Sequence, residues 1–402
     1  MNTDVRMVPQ EKCTGCGACE NGCPVNAVKL QEGKEGFLFP AISEQECIHC
    51  GKCISVCPVI NNKKDNRIEP KCRAAYGADE LRMQSSSGAI FSLLSAYVFQ
   101  RGGAVYGVVL DQEFQAVHKR ITSQAELPAM RRSKYVQSRV GLIYRQIKKD
   151  LEEGKWVLFS GTPCQNAGLK RFLGGEKEKL ILVDLVCHGV PSQKSFDAYL
   201  EESYPTGEIK EFLFRIKDEG QNCMVSQVVL RDGRIIRNSI AEDSFEKGFH
   251  QSLFLRKSCG ECEFAGTPRP GEFTIGDFWG LEKYNPDYTD GKGVSLVFLN
   301  NEKADRIWEE IKPKLQFDQP VPTKFALSHN RFRPKIKIHP NRERFFREWE
   351  KEPFSVAVEA AMEGCTAQEV KRRRKRSWYR QIMRRLKSVI KKCLRENLKI
   401  GK

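Results

Sequence analysis

One cysteine run occurs twice in the first 60 residues, and that repeat constrains this chain more than any other feature. The first copy is Cys13, Cys16, Cys19 and Cys23 before Pro24; the second is Cys47, Cys50, Cys53 and Cys57 before Pro58. In a C-x2-C-x2-C-x3-C-P run, three closely spaced thiolates bind one cubane and the fourth crosses to the other. Cys13, Cys16, Cys19 and Cys57 are therefore expected to hold one [4Fe–4S] cluster, and Cys47, Cys50, Cys53 and Cys23 a second. Zinc ribbons also use C-x2-C, but they arrange four ligands as two pairs, whereas each run here crowds three thiols together. A disulfide framework is disfavoured because nothing marks the chain as secreted.

The other bounds are looser. At 402 residues, two or three domains are expected. Sixteen cysteines suit a cytoplasmic redox protein. Residues 1–13 lack the apolar centre of a signal peptide. The longest apolar stretch, 89–99, is too short to span a bilayer. The net charge of +16 belongs to one end: residues 371–402 hold fifteen Lys or Arg and a single acid, Glu396.

Residues 1–62 read as an α+β, ferredoxin-like two-cluster module, with a strand over 36–40 between the cluster loops and a polar linker over 61–70. From about residue 72, apolar strands (104–110, 156–159, 180–186) alternate with helices (87–100, 139–153, 165–173, 193–204). That alternation predicts an α/β layer of buried, largely parallel strands. Ser85–Ser87 is a candidate helix cap. Strands at 209–216, 224–230 and 234–237 follow, the last two flanking an Asp232-Gly233 hairpin signal. Strands at 273–276 and 294–299 and a helix over 302–311 complete the domain, taken as 72–335. Residues 336–402 read as a helical extension.

Four more cysteines stand at informative places. Cys164 lies in a strand-to-helix turn, Cys187 just after the next strand, and Cys259 and Cys262 form a C-x2-C pair. In a parallel sheet the first two emerge at the carboxyl edge, where α/β folds place ligands. Spacing alone leaves a third metal or cluster site, a zinc site and plain buried thiols all open.

The segments SSSGAIFSLL (85–94), SKYVQS (133–138), GTPCQ (161–165), CHGVPS (187–192) and CGECEF…FTIGDFWG (259–280) occur in that order. Together they resemble the coenzyme F420 hydrogenase/dehydrogenase β-subunit family, from residue 1 to about 330. The resemblance implies a two-cluster module fused to an α/β flavin-binding domain. It also implies a third [4Fe–4S] cluster on Cys164, Cys187, Cys259 and Cys262, and bound FAD. Ser86, Ser87 and Gly88, with Gly161, Thr162 and Gln165, offer backbone N–H groups at helix entries for a pyrophosphate. Lys134, beside Arg132, is a candidate for phosphate charge, and Tyr135 for ring stacking. Asp277 and Trp279 lie in a matching segment without a derivable role. His188 beside Cys187 reads as a support for a ligand thiolate. No G-x-G-x-x-G or P-loop pattern occurs.

In the tail, Trp378, Ile382, Leu386, Val389, Ile390, Cys393, Leu394 and Leu398 recur at helical steps among Lys and Arg. Residues 371–400 thus read as a basic amphipathic helix suited to an anionic membrane surface, peripheral at its inner face. A partner-docking or solvated tail is the rival, and nucleic-acid binding the weakest alternative.

The leading expectation is an FAD- and iron–sulfur-dependent oxidoreductase that moves electrons between its clusters and a flavin. The flavin reduces or oxidises a small organic substrate or deazaflavin, and a redox partner protein or soluble carrier is the other electron partner. The first rival is an electron-transfer subunit without its own substrate, feeding a separate catalytic partner, with polysaccharide assembly as one setting. A scaffold keeping only the two amino-terminal clusters is the second.

Overall fold

The computed structural model describes residues 4–61, 69–205, 207–218, 220, 224–330, 336–378, 380 and 382–383. The two cysteine runs form short helices, Ala18–Gly22 and Lys52–Ser55. Between them, strands β1 (Val28–Glu32) and β2 (Leu38–Ile42) pair antiparallel. The expected 36–40 strand thus starts two residues later and has a partner the sequence did not suggest.

The next strands are β3 (Lys71–Tyr76), β4 (Ala104–Leu110), β5 (Ala116–Ile121), β6 (Val157–Gly161) and β7 (Leu180–Leu185). After them come β8 (Ile209–Ile216), β9 (Val225–Leu230), β10 (Ile235–Ser239), β11 (Phe273–Asp277), β12 (Ser295–Leu299) and β13 (Phe317–Val321). Eight of these form one sheet in the order β13-β3-β12-β11-β7-β6-β4-β5. Its centre, β4, β6, β7 and β11, is parallel. β5, β12 and β13 run antiparallel to their neighbours. β8, β9 and β10 form a separate antiparallel sheet, with the expected turn at Asp232-Gly233.

Helices cover both faces of the large sheet, because its central strands are apolar on both sides. On one face Val105, Leu158, Ile181 and Phe273 pack with Leu94, Val98, Ile307 and Trp308 of helices Ile90–Phe99 and Glu302–Ile311. On the other, Tyr106, Phe159 and Leu182 pack with Ile147 and Leu169 of helices Ile143–Glu152 and Pro163–Phe172. Cys16 and Ala18 of the first cysteine run join that second layer, so the amino-terminal module is built into the core. An aromatic core of Phe196, Phe212, Phe245, Phe254, Phe345 and Phe354 joins the small sheet to helices Gln193–Ser203, Ser244–His250, Arg342–Trp349 and Phe354–Glu363. The last two helices therefore close a core that the chain had begun about 150 residues earlier.

The helix expected from 87 begins at Ile90. Ala89 enters it in the left-handed region, at φ 69, and no serine side chain caps it. Ser86 instead meets Ser133 Oγ at 2.9 Å, and Ser87 Oγ donates to Val294 O at 2.8 Å.

At the carboxyl end, residues 367–378 are helical and their basic face is exposed. Lys371, Arg373 and Arg374 form ion pairs with Glu352, Glu363 and Glu359. Trp378 is 56% exposed. The apolar stripe expected from Leu386 to Leu398 lies outside the described residues. Among the described residues no helix is long and apolar enough to cross a membrane.

His118 on β5 is buried against Phe159, its Nε2 donating to Ser160 O at 3.2 Å. Burial lowers its pKa from 6.5 to about 4. Between those values the unfolded chain binds a proton that the folded chain refuses. His118 therefore favours the fold fully above about pH 6.5, and this contribution falls away as the pH drops towards 4. We expect His118→Gln to flatten the fall in stability over that window relative to wild type, measured by urea unfolding at a series of pH values.

Candidate cluster and ligand site

The site lies at the carboxyl ends of β6, β7 and β11. β6 ends at Gly161, and Thr162 caps the helix Pro163–Phe172. Gln165 Oε1 accepts from Thr162 N and Oγ1, both at 3.0 Å, closing the turn. This holds Cys164 in the helix's first turn, 3.2 Å from Thr162 Oγ1. β7 delivers Cys187, whose Sγ accepts from Gly189 N at 3.4 Å. A single turn of 3-10 helix, Lys257–Glu261, carries Cys259, with Cys262 just beyond.

Two buried arginines set the position of that last turn. Arg256 donates to Cys13 O at 2.7 Å, Leu38 O at 2.8 Å and Gln137 Oε1 at 3.0 Å, tying it to the first cysteine run. Arg269 donates to Asp184 Oδ1 at 2.9 and 2.7 Å and to the carbonyls of Phe264 and Ala265 at 3.1 Å.

Cys164, Cys187, Cys259 and Cys262 are close enough to raise one another's pKa, adding to the larger effect of burial. Burial pushes Cys187 up to about 11 and Cys262 up to about 12. Such thiols ionise only beside a compensating cation, which iron would supply if it were bound there. In the amino-terminal module, Cys16, Cys19 and Cys57 are likewise raised by burial, and each has Cys13 as a neighbour. Cys23, Cys47 and Cys53 share that module's apolar core with Cys19 and Cys57, while Cys50 is exposed. Among the described residues no three His, Cys, Asp or Glu side chains close on a single metal ion.

The third thiol set lies against the first. Cys16 has Cys164 among the thiols that raise its pKa. Helix Pro163–Phe172 approaches it through Gly168, where an added Cβ would meet Cys16 Sγ at 3.0 Å. The Tyr144 hydroxyl lies 2.8 Å from both Cys16 O and Gln165 O.

A cavity of about 690 Å³ opens beside Cys187, within the range of about 300–1,000 Å³ usual for cofactor sites. Ser86, Ser87, Lys134, Tyr135, Gly161, Thr162 and Gln165 all contribute to its wall. Gly88 lies behind the wall: its N–H donates to Ser295 Oγ at 2.8 Å, and a Cβ there would come within 2.3 Å of Ala75 O. Lys134 lines the cavity, but its ammonium already donates to Ala129 O and Arg131 O at 3.0 and 2.6 Å. Burial lowers its pKa to about 7. Arg132 is half-exposed, with a 3.5 Å contact from its guanidinium to Met83 O. Tyr135 stacks on Phe249 with ring centroids 4.7 Å apart.

Several wall residues went unread in the sequence. Arg215 pairs with Asp277 and lies 5.2 Å from the Trp279 ring. An arginine inside the apolar run of β8 was the available signal. His250 and His329 also line the cavity, and no local pattern marked either one.

Two family models match the chain. The model for the carboxyl-terminal part of the coenzyme F420 hydrogenase/dehydrogenase beta subunit covers residues 154–322, which include Cys164, Cys187, Cys259 and Cys262. The model for the 4Fe-4S dicluster domain covers residues 12–61. No curated protein matches. Among solved structures, a chain of the F420-reducing [NiFe] hydrogenase complex from Methanosarcina barkeri is similar over 67% of this chain and 92% of its own, at 16% identity and a TM-score of 0.44.

Asp184 and Arg269 are both fully buried, so removing one strands the other's charge. Arg269→Met is expected to destabilise the fold by about 3–5 kcal/mol and to loosen the Cys259–Cys262 turn. Denaturant unfolding checks the first effect, and the reactivity of Cys262 in cluster-free protein checks the second.

Proposed function

The chain is an iron–sulfur electron-transfer protein related to the F420 hydrogenase/dehydrogenase β subunit, and from that premise we propose that it is a flavin-dependent oxidoreductase with three [4Fe–4S] clusters. Cys13, Cys16, Cys19 and Cys57 hold the first, Cys47, Cys50, Cys53 and Cys23 the second, and Cys164, Cys187, Cys259 and Cys262 the third. The cavity beside Cys187 holds FAD and, against it, a small organic substrate or a deazaflavin.

One observation carries this reading: the third thiol set borders the cavity at one end and the first cysteine run at the other. With Cys187 at the cavity and Cys164 beside Cys16, these thiol sets would hold clusters that could relay single electrons between the cavity and the amino-terminal module. FAD, when bound, exchanges an electron pair with the substrate and single electrons with the cubanes. The protein's share is positioning. Ser86, Ser87, Gly161 and Thr162 edge the cavity with polar groups, and Gly88 lets the serine loop lie flat against β3 and β12. Arg132, half-exposed at the wall, is a cation available to a phosphate. Lys134 braces the 129–132 loop through its carbonyl contacts, and Gln165 braces the cysteine turn. Tyr135, backed by Phe249, presents an aromatic wall.

A second reading keeps the clusters but no substrate: an electron-transfer subunit serving a separate catalytic partner. It is favoured by the face around the second run, where Cys50 is exposed and Ile48 and Met7 are 60% and 59% exposed.

Protein purified without oxygen is expected to carry about twelve irons, at four per cubane for three sites, and one FAD per chain. Cys187→Ser is expected to lose about four irons and keep about eight. About eight irons and no flavin in the wild type would overturn the flavoenzyme and leave the carrier.

A further inference from the structure

Among the described residues six arginines are buried, and four of them pair with carboxylates. Arg82 meets Asp290, Arg215 meets Asp277, Arg269 meets Asp184 and Arg342 meets Glu35. Arg131, at the cavity wall, donates instead to Ser92 and Gln84. Arg256, 2% exposed, is the sixth. Its hydrogen bonds go to Cys13 O, Leu38 O and Gln137 Oε1, all neutral acceptors. Among the described residues it has no carboxylate partner. A guanidinium does not deprotonate in a protein, so burying one is strongly unfavourable unless an anion lies near it.

The neighbours of Arg256 are two thiol sets. On one side, a Cβ added to Gly15, between Cys13 and Cys16, would meet its Nη1 at 2.9 Å. On the other side lies Cys164. Burial raises the pKa of that thiol, and Arg256 and the Thr14 hydroxyl are among the groups that hold it back. Thr14 is itself 8% exposed, and its Oγ1 finds no acceptor in hydrogen-bond geometry among the described residues. The rings of Phe39 and Phe37, 4.4 and 5.5 Å from the Arg256 Cζ, help to exclude water. A cation without a carboxylate and a hydroxyl without an acceptor thus sit between the first and third thiol sets. The other cations near the thiols are compensated or wet. Arg269 is neutralised by Asp184, and Arg145, which donates to Cys23 O of the second set, is only half-buried.

We propose that Arg256 is the counter-cation of the first and third [4Fe–4S] clusters and raises the reduction potential of both. The proposal rests on the third thiol set holding a cluster. A cubane on four thiolates is an anion, and the electron it accepts on reduction adds one more negative charge. A fixed guanidinium therefore stabilises the reduced form more than the oxidised one. Its burial keeps that preference from being screened by water and salt. Arg256 takes up no electron and gives no proton; it is a positioning residue that acts through the charge it holds at this place.

The test is a potentiometric titration of the full chain, purified without oxygen and followed by electron paramagnetic resonance. The step belonging to the third cluster is the one that Cys187→Ser removes. Arg256→Gln is expected to make that cluster about tenfold harder to reduce, a fall of about 59 mV for a one-electron couple. Arg256→Lys keeps the charge but not the fork. It is expected to hold the potential near wild type while lowering stability to urea. Gln137→Glu serves if Arg256→Gln does not fold: it keeps the guanidinium and sets a carboxylate against it, with the same fall expected. In the Cys187→Ser background, Gln137→Glu is expected to lower one of the two remaining potentials, that of the first cluster. An unmoved third potential in Arg256→Gln and Gln137→Glu, with about twelve irons bound, would overturn the counter-cation and leave a mechanical tie. An equal fall in Arg256→Lys would overturn it too, because charge is then not the cause. Two unmoved potentials in the Cys187→Ser background would overturn the share in the first cluster. A wild type with about eight irons, and no step lost in Cys187→Ser, would overturn the third cluster and this proposal together.

Discussion

The buried guanidinium of Arg256 joins the two cysteine-rich parts of this molecule. It sits three residues before Cys259 and donates to the backbone of the first cysteine run, to β2 and to Gln137. Hydrogen bonds from a charged donor contribute about 1.5–3 kcal/mol each, and here three act on one rigid fork. The ring of Phe39 lies 4.4 Å from the same guanidinium and shields it from water. The distance between the first and third thiol sets therefore depends on core packing rather than on a linker.

Arg145 repeats the device on the other side of the module. It donates to Cys23 O at 2.6 Å, Asn21 O at 2.9 Å and Glu20 O at 3.2 Å. Arg342 reaches from the carboxyl-terminal helices to Glu35, with a further bond to Leu255 O at 2.7 Å. Rigid docking of this kind suits electron transfer, because cluster spacing has to persist through cycles of oxidation and reduction. The cavity wall shares the strategy: Lys217 donates to Arg82 O, Ser87 O and Lys292 O, fastening the serine loop from behind. Burial lowers that lysine to about 7, so the fastening is strong only while the ammonium stays protonated.

Much of the fold was legible because its central elements are strongly periodic or wholly apolar. β4 and the 193–203 and 302–311 helices appear within a residue of where the pattern put them. β3, β5 and β13 were missed because they lie towards the sheet's flanks, mix charged or polar residues with apolar ones, and draw their stability from neighbours distant in sequence. Residues 336–402 read as a helical extension, but the place of helices Arg342–Trp349 and Phe354–Glu363 in the core went unread for a related reason. Their aromatic faces have meaning only against Phe245 and Phe254. Lys134 shows the same limit within the site: its charge was visible, but not the carbonyls already surrounding it.

The sequence by itself determined the iron–sulfur chemistry of the amino-terminal module, since thiols at those intervals are a local property of a short chain segment. It also determined the alternating α/β layer, through the two periods of hydrophobic burial. Only the tertiary structure decided that Cys164, Cys187, Cys259 and Cys262 neighbour one another, that Cys164 neighbours Cys16, and that His250 lines the cavity beside Cys187. Contacts that hold these groups in place join residues far apart in the chain, 243 positions for Arg256 and Cys13 and 307 for Arg342 and Glu35. Such neighbours are selected by the packing of whole layers, which no local spacing encodes.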